Sequence, residues 1–342
     1  MELSSFVFPG MVAALLTAGL HLFYGQLSVV CWLVIFAVPV GLVLLREWSN
    51  GGFYRGKERI TGKTVIITGA NTGIGKETAE DLARRGGRLI LACRDVTKGN
   101  NAVQEIIRET GNNNVFCWEL DLSSFKSIRK FAEKFNESEP RLDILINNAG
   151  IMMCPRMLSK DGLEMQLGVN HFGHFLLTNL LLDKLKSSSP SRIVILSSIA
   201  HLHGSINFDD LNSEKSYGRI AAYGQSKLAN ILHALELAKR LKGTGVTANS
   251  LHPGAVDTEL ARHSVTGIFR LLLTPLYSVF VKSPLQGAQT SIRLAVDPAL
   301  ETVSGKYFSD CKETKTSAAA QDVAAAKRLW EVSEKTTNSK YP

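Results

Sequence analysis

The sequence predicts a doubly wound α/β domain, a parallel sheet with helices on both faces, preceded by an N-terminal transmembrane helix or helical hairpin. Three observations predict it. From Lys63 onward, short β-branched runs alternate with longer helical stretches, the rhythm of a parallel sheet covered on both sides. A glycine cluster falls where the first strand passes into the first helix. The first fifty residues hold two long apolar stretches. At 342 residues the chain suits one α/β domain with an appendage, and no second catalytic domain, internal repeat or low-complexity tract is needed to account for it.

The N-terminal stretches are Phe6 to Tyr24, nearly all apolar, and Leu27 to Leu45, free of charge and about long enough to cross a bilayer as a helix. No basic segment precedes them and their combined length exceeds a cleaved signal core, so a retained anchor is expected. Two forms fit: one spanning helix with an interfacial segment before it, or a hairpin. Arg46, Arg55, Lys57 and Arg59 crowd the downstream flank while only Glu2 charges the upstream one, which places the following domain in the cytosol. The glycosylation sequon Asn136-Glu137-Ser138 is then expected to be bare.

The first strand reads as Lys63 to Thr68 and runs into Gly69-Ala70-Asn71-Thr72-Gly73-Ile74-Gly75, with helical patterning from Lys76. Glycines let the backbone turn tightly and approach a pyrophosphate, whose charge the N–H groups at a helix start would meet. The spacing is G-x-x-x-G-x-G, and Gly69, Asn71, Thr72, Gly73, Ile74 and Gly75 are candidate dinucleotide ligands. The second strand, Arg88 to Ala92, ends in Cys93-Arg94-Asp95. A carboxylate in the place of Cys93 would bind a ribose 2′-hydroxyl and repel a 2′-phosphate, whereas the guanidinium of Arg94 would grip that phosphate. The expected cofactor is therefore NADP(H). Further strands fall at Val115 to Glu119, Ile144 to Ile146, Arg192 to Leu196 and Val246 to Leu251, with Ser187 to Pro190 a loop. The expected organisation is an anchor and basic linker over residues 1–60, a dinucleotide-binding catalytic domain over 61–335 and a tail over 336–342.

Tyr223 and Lys227 lie one helical turn apart in Ala-Ala-Tyr-Gly-Gln-Ser-Lys-Leu-Ala-Asn and so share a face. A phenol with pKa ~10 beside a fixed cation is a candidate acid for a substrate oxygen, which points to carbonyl or alcohol chemistry.

On the glycine turn and Y-x-x-x-K, the chain resembles the short-chain dehydrogenase/reductase family from about Gly62 to Trp330, which implies a Rossmann-type sheet. The resemblance assigns Asp121 and Leu122 to the adenine and Asn148, Ala149 and Gly150, in Asn147-Asn148-Ala149-Gly150, to the middle of the cofactor. It assigns Pro253, Gly254 and Thr258 to the nicotinamide carboxamide, and Asn170 to a water in the proton relay. Ser198, rather than the neighbouring Ser197, is assigned to the substrate oxygen, with the choice between the two open to structure. Tyr223 would pass the proton and Lys227 would lower its pKa and hold the nicotinamide ribose. Ala-Cys-Arg-Asp, Phe-Asp-Asp-Leu-Asn-Ser-Glu, Ser-Lys-Leu-Ala-Asn-Ile-Leu and Phe-Ser-Asp-Cys-Lys are similar to the membrane-bound, NADP-preferring retinol dehydrogenases. That similarity implies interconversion of all-trans-retinol and all-trans-retinal, favouring reduction. A hydroxysteroid or lipid carbonyl reductase uses the same machinery, and a non-catalytic NADP-binding membrane scaffold is the remoter alternative.

The pocket is expected from residues 151–168, 199–222 and the segment after Thr258, whose greasy run 265–281 fits either a lid that dips into lipid or an ordinary core helix pair. The five cysteines Cys31, Cys93, Cys117, Cys154 and Cys311 are odd in number and scattered, as in a reducing compartment. The close histidine pairs, His171 with His174 and His201 with His203, lack the pattern of a zinc site, so no metal is expected. A net charge of +8, spread along the chain, suits membrane lipid headgroups rather than nucleic acid. The expected location is the endoplasmic reticulum membrane, with a mitochondrial membrane as the alternative because one relative of the group is mitochondrial. A homodimer through helices is a candidate assembly.

Overall fold

The structure is a computed structural model and describes residues 17–18, 29–257 and 280–342. It divides into two compact units, one of Met1–Gly51 with Leu271–Val281 and one of Gly52–Arg270 with Lys282–Pro342.

In the first unit, α1 (Val29–Asn50) carries Pro39 inside it, and Val38, Val40, Leu42 and Leu44 are exposed. Arg46 donates to the carbonyl of Val281 at 2.5 Å and Ser49 to that of Phe280 at 3.2 Å. Among the residues described with their side chains, no helix is long and apolar enough to cross a membrane. The expected apolar runs, 6–24 and the beginning of 27–45, lie largely outside the described residues.

The second unit is a Rossmann-type domain. Its strands are β1 (Thr64–Thr68), β2 (Arg88–Cys93), β3 (Val115–Glu119), β4 (Ile144–Asn147), β5 (Ser191–Leu196), β6 (Val246–His252), β7 (Tyr307–Ser309) and β8 (Lys312–Glu313). They form one sheet in the order β3-β2-β1-β4-β5-β6-β7-β8, parallel except for the closing β7–β8 hairpin. Val65 pairs with Leu89 on one side and Ile144 on the other. The strand order reverses between β1 and β4, and in open sheets of this kind a ligand crevice is expected outside the carboxyl ends of the strands at that switch.

Alternation along the strands builds two cores. Val65, Ile67, Leu89 and Leu91 pack against α2 (Gly73–Arg84), α3 (Val96–Thr110) and α7 (Pro284–Val296) through Leu82, Ile106 and Ile292. Ile66, Ile90 and Leu145 face the opposite way, toward Phe135 of α4 (Phe125–Ser138), Phe175 of α5 (His174–Ser187), Leu237 of α6 (Arg219–Arg240) and Trp330 of α8 (Val323–Thr337). All five residues of β1 are buried, so this is a strand with helices on both faces.

Two differences from the sequence reading have local causes. α2 begins at Gly73, inside the glycine turn, because Gly69 and Gly73 take left-handed φ values of 65° and 57° and bring the chain round sooner. The β7–β8 hairpin is unanticipated, since strands of three and two residues are too short for alternation to register.

Candidate active site

The cofactor side of the crevice starts at Thr68, the last residue of β1. Its hydroxyl accepts the backbone N–H groups of Asn148 and Ala149, both at 2.9 Å. Asn148 reciprocates, donating its amide to the carbonyls of Thr68 at 2.7 Å and Gly69 at 3.2 Å. The turn and the loop after β4 are thereby laced into one floor. A Cβ at Gly75 would sit 2.5 Å from the Asn148 amide nitrogen and 2.5 Å from the Gly69 carbonyl, so only glycine fits there. Side chains cap α3 (Asp95), α4 (Ser124), α7 (Ser283) and α8 (Asp322), but Thr72 supplies no such bond to α2, which has no acidic residue in its first turn. Asn71, Thr72 and Ile74 thus border a helix start whose N–H groups are left for a ligand, the electrostatics a pyrophosphate requires.

At the end of β2, Cys93 is buried, and contact with Cys117 followed by burial pushes its thiol well up, so it stays neutral. Arg94 beside it is exposed, and the neighbouring Asp95 is committed to capping α3 through Lys98 at 3.0 Å. No carboxylate occupies the strand-end position. Asp121 is buried at the next strand end beside buried Leu122. Burial works to raise its pKa, but bonds from Lys160 at 2.8 Å and the Ser123 hydroxyl at 2.7 Å outweigh it and hold the carboxyl below its ordinary value.

The reacting side is carried by α6 and the end of β5. Tyr223 and Lys227 are 5 % and 4 % exposed on successive turns, with the Lys227 nitrogen 5.6 Å from the phenol ring centre and 3.3 Å from the Leu196 carbonyl. A Cβ at Gly150 would lie 3.5 Å from that nitrogen, so the ammonium sits over the cofactor floor. Ser198 lies close enough to Tyr223 to lower the pKa of the phenol, and its hydroxyl accepts from Ala200 N–H at 3.2 Å. Ser197 points away, donating at 2.7 Å to the Lys227 carbonyl. The two serines therefore do different work: one faces the phenol and the other pins the helix that carries it.

Burial raises the Tyr223 pKa to about 12, with nearby Ser198 opposing it, and burial lowers that of Lys227 to about 8. The phenol is held protonated at neutral pH in the cofactor-free fold. Burial dominates the shift and only Ser198 opposes it; the lowering expected from Lys227, whose nitrogen is 5.6 Å from the ring centre, plays no part in this fold.

Asn170 lies in a π-helical turn, Gly168–Gly173, inside the helix leading to α5. Its side chain accepts from Ile151 N–H at 2.9 Å and donates to the Ile151 carbonyl at 3.0 Å and to Ser226 at 2.9 Å. It clips the floor loop to α6. Its carbonyl accepts at 3.1 Å from Nδ1 of His174, whose Nε2 is 2.8 Å from the Thr68 hydroxyl. Since Thr68 already accepts two N–H groups, its proton goes to Nε2, which fixes His174 as the neutral Nδ1–H tautomer. Burial first, and the Lys227 charge last, lower the pKa of His174 to about 4. Thr68, His174 and Ser226 were missed as site residues; His174 drew notice only as half of a histidine pair, and no local spacing links it to Thr68.

Pro253 and Gly254 follow β6 at the same edge of the sheet, while Thr258 lies outside the described residues. Among the described residues no group of three or more histidine, cysteine or acidic side chains is placed to hold a metal.

The short chain dehydrogenase family profile matches residues 63–267. The chain is 56 % identical over 289 residues to mouse retinol dehydrogenase 12, covering 84 % of this chain and 90 % of that one. It is 54 % identical over 306 residues to human retinol dehydrogenase 13, covering 88 % and 92 %. Among solved structures, a protein from Mycobacterium paratuberculosis superposes with a TM-score of 0.68 at 37 % identity, covering 83 % of this chain and 97 % of that one. A short chain dehydrogenase from Shigella flexneri complexed with NADP shares the fold at a TM-score of 0.60 and 24 % identity, covering 75 % and 100 %.

Proposed function

The chain belongs to the short-chain dehydrogenase family, and on that premise we propose that it is an NADP(H)-dependent oxidoreductase that reduces a lipophilic aldehyde, all-trans-retinal first among them, to its alcohol. The observation that carries this is the meeting of Tyr223, Ser198 and Lys227 above the Gly150 floor, in a chain more than half identical to proteins named retinol dehydrogenases.

The cofactor fits the residues present. The α2 start and the close-packed Gly75 suit a pyrophosphate, Ala149 and Gly150 the middle of the molecule, and Lys227 a ribose hydroxyl. Exposed Arg94, beside a neutral buried thiol in place of an acid, favours the 2′-phosphate form. When bound, the reduced nicotinamide supplies the hydride. Ser198 donates a hydrogen bond to the substrate oxygen where negative charge develops, and Tyr223 delivers the proton to it. A phenol kept protonated by burial is the form reduction needs. Asn170 holds the floor loop against α6, and its backbone carbonyl, which accepts from His174, would also hold the water of the relay that returns the proton.

The anchor reading also belongs here. The apolar N-terminal runs and their basic flank support attachment to the endoplasmic reticulum membrane with the catalytic unit in the cytosol. Asn136, the sequon residue, lies within α4 and donates its amide to the Leu180 carbonyl at 3.0 Å, which suits an unmodified side chain.

The test is oxidation of NADPH and of NADH by the detergent-solubilised full chain with all-trans-retinal, a 3-ketosteroid and nonanal. Retinal with NADPH should be the fastest pair. Turnover of the steroid alone would move the assignment to a hydroxysteroid reductase, and NADPH binding without turnover of any carbonyl would make the protein a scaffold. Arg94→Asp should shift preference toward NADH; unchanged preference would assign the phosphate to another residue.

A further inference from the structure

Lys282 is a buried lysine outside the family's reacting set, 6 % exposed, and it grips the loop after β6 in three ways. Its N–H donates to the Ala255 carbonyl at 2.7 Å, and its own carbonyl accepts from Asp257 N–H at 3.0 Å, making a parallel bridge with Val256. Its stem lies against Gly254: a Cβ there would sit 2.7 Å from Cδ and 2.8 Å from Cε. Gly254 also has φ 97°, so its backbone demands glycine, and the missing side chain leaves room for the lysine stem. The ammonium is ion-paired with Asp310.

Asp310 is held in place at a cost. With Cys311 it forms the two-residue turn of the β7–β8 hairpin, and both have left-handed φ, 52° and 60°, where such turns ordinarily use asparagine and glycine. Non-glycine residues in that region are strained and persist where the surroundings over-determine them. Here α7 does so: Thr290 accepts from Cys311 N–H at 3.1 Å, and Arg293 donates to the Cys311 carbonyl. The charge of Lys282 also reaches His252, whose Nδ1 accepts from Ile199 N–H, the peptide after Ser198, at 3.3 Å.

We propose that Lys282 and Asp310 form a clamp that positions the Pro253–Asp257 loop for the nicotinamide end of the cofactor. Lys282 acts through the loop as a positioning residue. The inference rests on the reading that this loop receives the nicotinamide.

The test uses the full chain in detergent, with NADPH affinity read by its fluorescence and backbone hydrogen exchange of residues 254–257 read without cofactor. Lys282→Met should weaken NADPH by ~10-fold and speed exchange in that loop, while Lys282→Arg keeps both within ~3-fold. Asp310→Asn should move both in the same direction by less, and the double variant should be no worse than Lys282→Met, as expected for one shared contact. Unchanged affinity and exchange in Lys282→Met overturns the clamp, as does loss of melting temperature alone. Should Lys282→Met fail to fold, Asp310→Asn decides by the same two readings, since its side chain is half exposed. Wild-type protein that does not bind NADPH would instead remove the cofactor reading beneath the clamp.

Discussion

The two ends of α6 bury polar side chains equally deeply and use them in opposite ways. At its N-terminal end Tyr223 lies beside Ser198, and the Lys227 ammonium donates to the Leu196 carbonyl close above Gly150. Two turns on, His233 is 3 % exposed, neither of its nitrogens has a hydrogen-bond partner, and its ring packs 5.3 Å from Phe175 and 5.8 Å from Trp330. Burial depth and a shifted pKa therefore do not mark a reacting group. What would distinguish the first pair, on the proposed function, is bonding capacity left over for a substrate and a ribose.

Five outcomes would sharpen or break that contrast. Tyr223→Phe removes the proton and should lower kcat for retinal by ~10³-fold with NADPH affinity nearly unchanged; retained turnover would take Tyr223 out of the proton path. Lys227→Met should cost ~10²-fold in kcat/KM for NADPH, read from initial rates over a range of cofactor concentrations. The third concerns pH. Lys227 has a depressed folded pKa, so its charged form is present below about 8 and lost as pH rises through that value, and kcat/KM for NADPH should fall by up to ~10-fold per unit above it. A flat profile to pH 10 would detach Lys227 from binding.

The other end of α6 should respond in stability instead. His171 at about 3, His174 at about 4 and His233 well below its ordinary value are buried neutral. An unfolded histidine gains its proton near ~6.5, so this stability is present above that pH and is lost as pH falls toward the folded values. Denaturant melts should weaken by about 1.4 kcal/mol per histidine per pH unit once well below it. Smallest of all, His233→Leu should leave kcat within ~2-fold, leave stability at pH 7 unchanged or ~1 kcal/mol higher, and flatten the acid slope. A large loss of activity there would make His233 part of the site after all.

Much of this site was readable along the chain because its parts are local. A glycine turn between strand and helix, a tyrosine and lysine one turn apart, and a missing acid after β2 each express their chemistry within a few residues. The bonds that connect those parts join residues far apart in the chain. Thr68 reaches His174 across 106 positions, and Asn170 reaches Ser226 across 56. The π-turn at Asn170 has no residue signature along the chain, and its last residue, Gly173, packs against the Leu122 carbonyl, 2.6 Å from where a Cβ would stand.

By itself the sequence determined the doubly wound class, the strand ends that line the crevice and the tyrosine–lysine pair, because hydrophobic period and helical spacing are properties of neighbours. Tertiary structure alone decided that Ser198 rather than Ser197 meets the phenol, that burial raises the proton affinity of that phenol, and that Lys282 closes on Asp310. Those depend on which distant groups share a desolvated space, and hydrogen bonding and desolvation act through space, not along the chain.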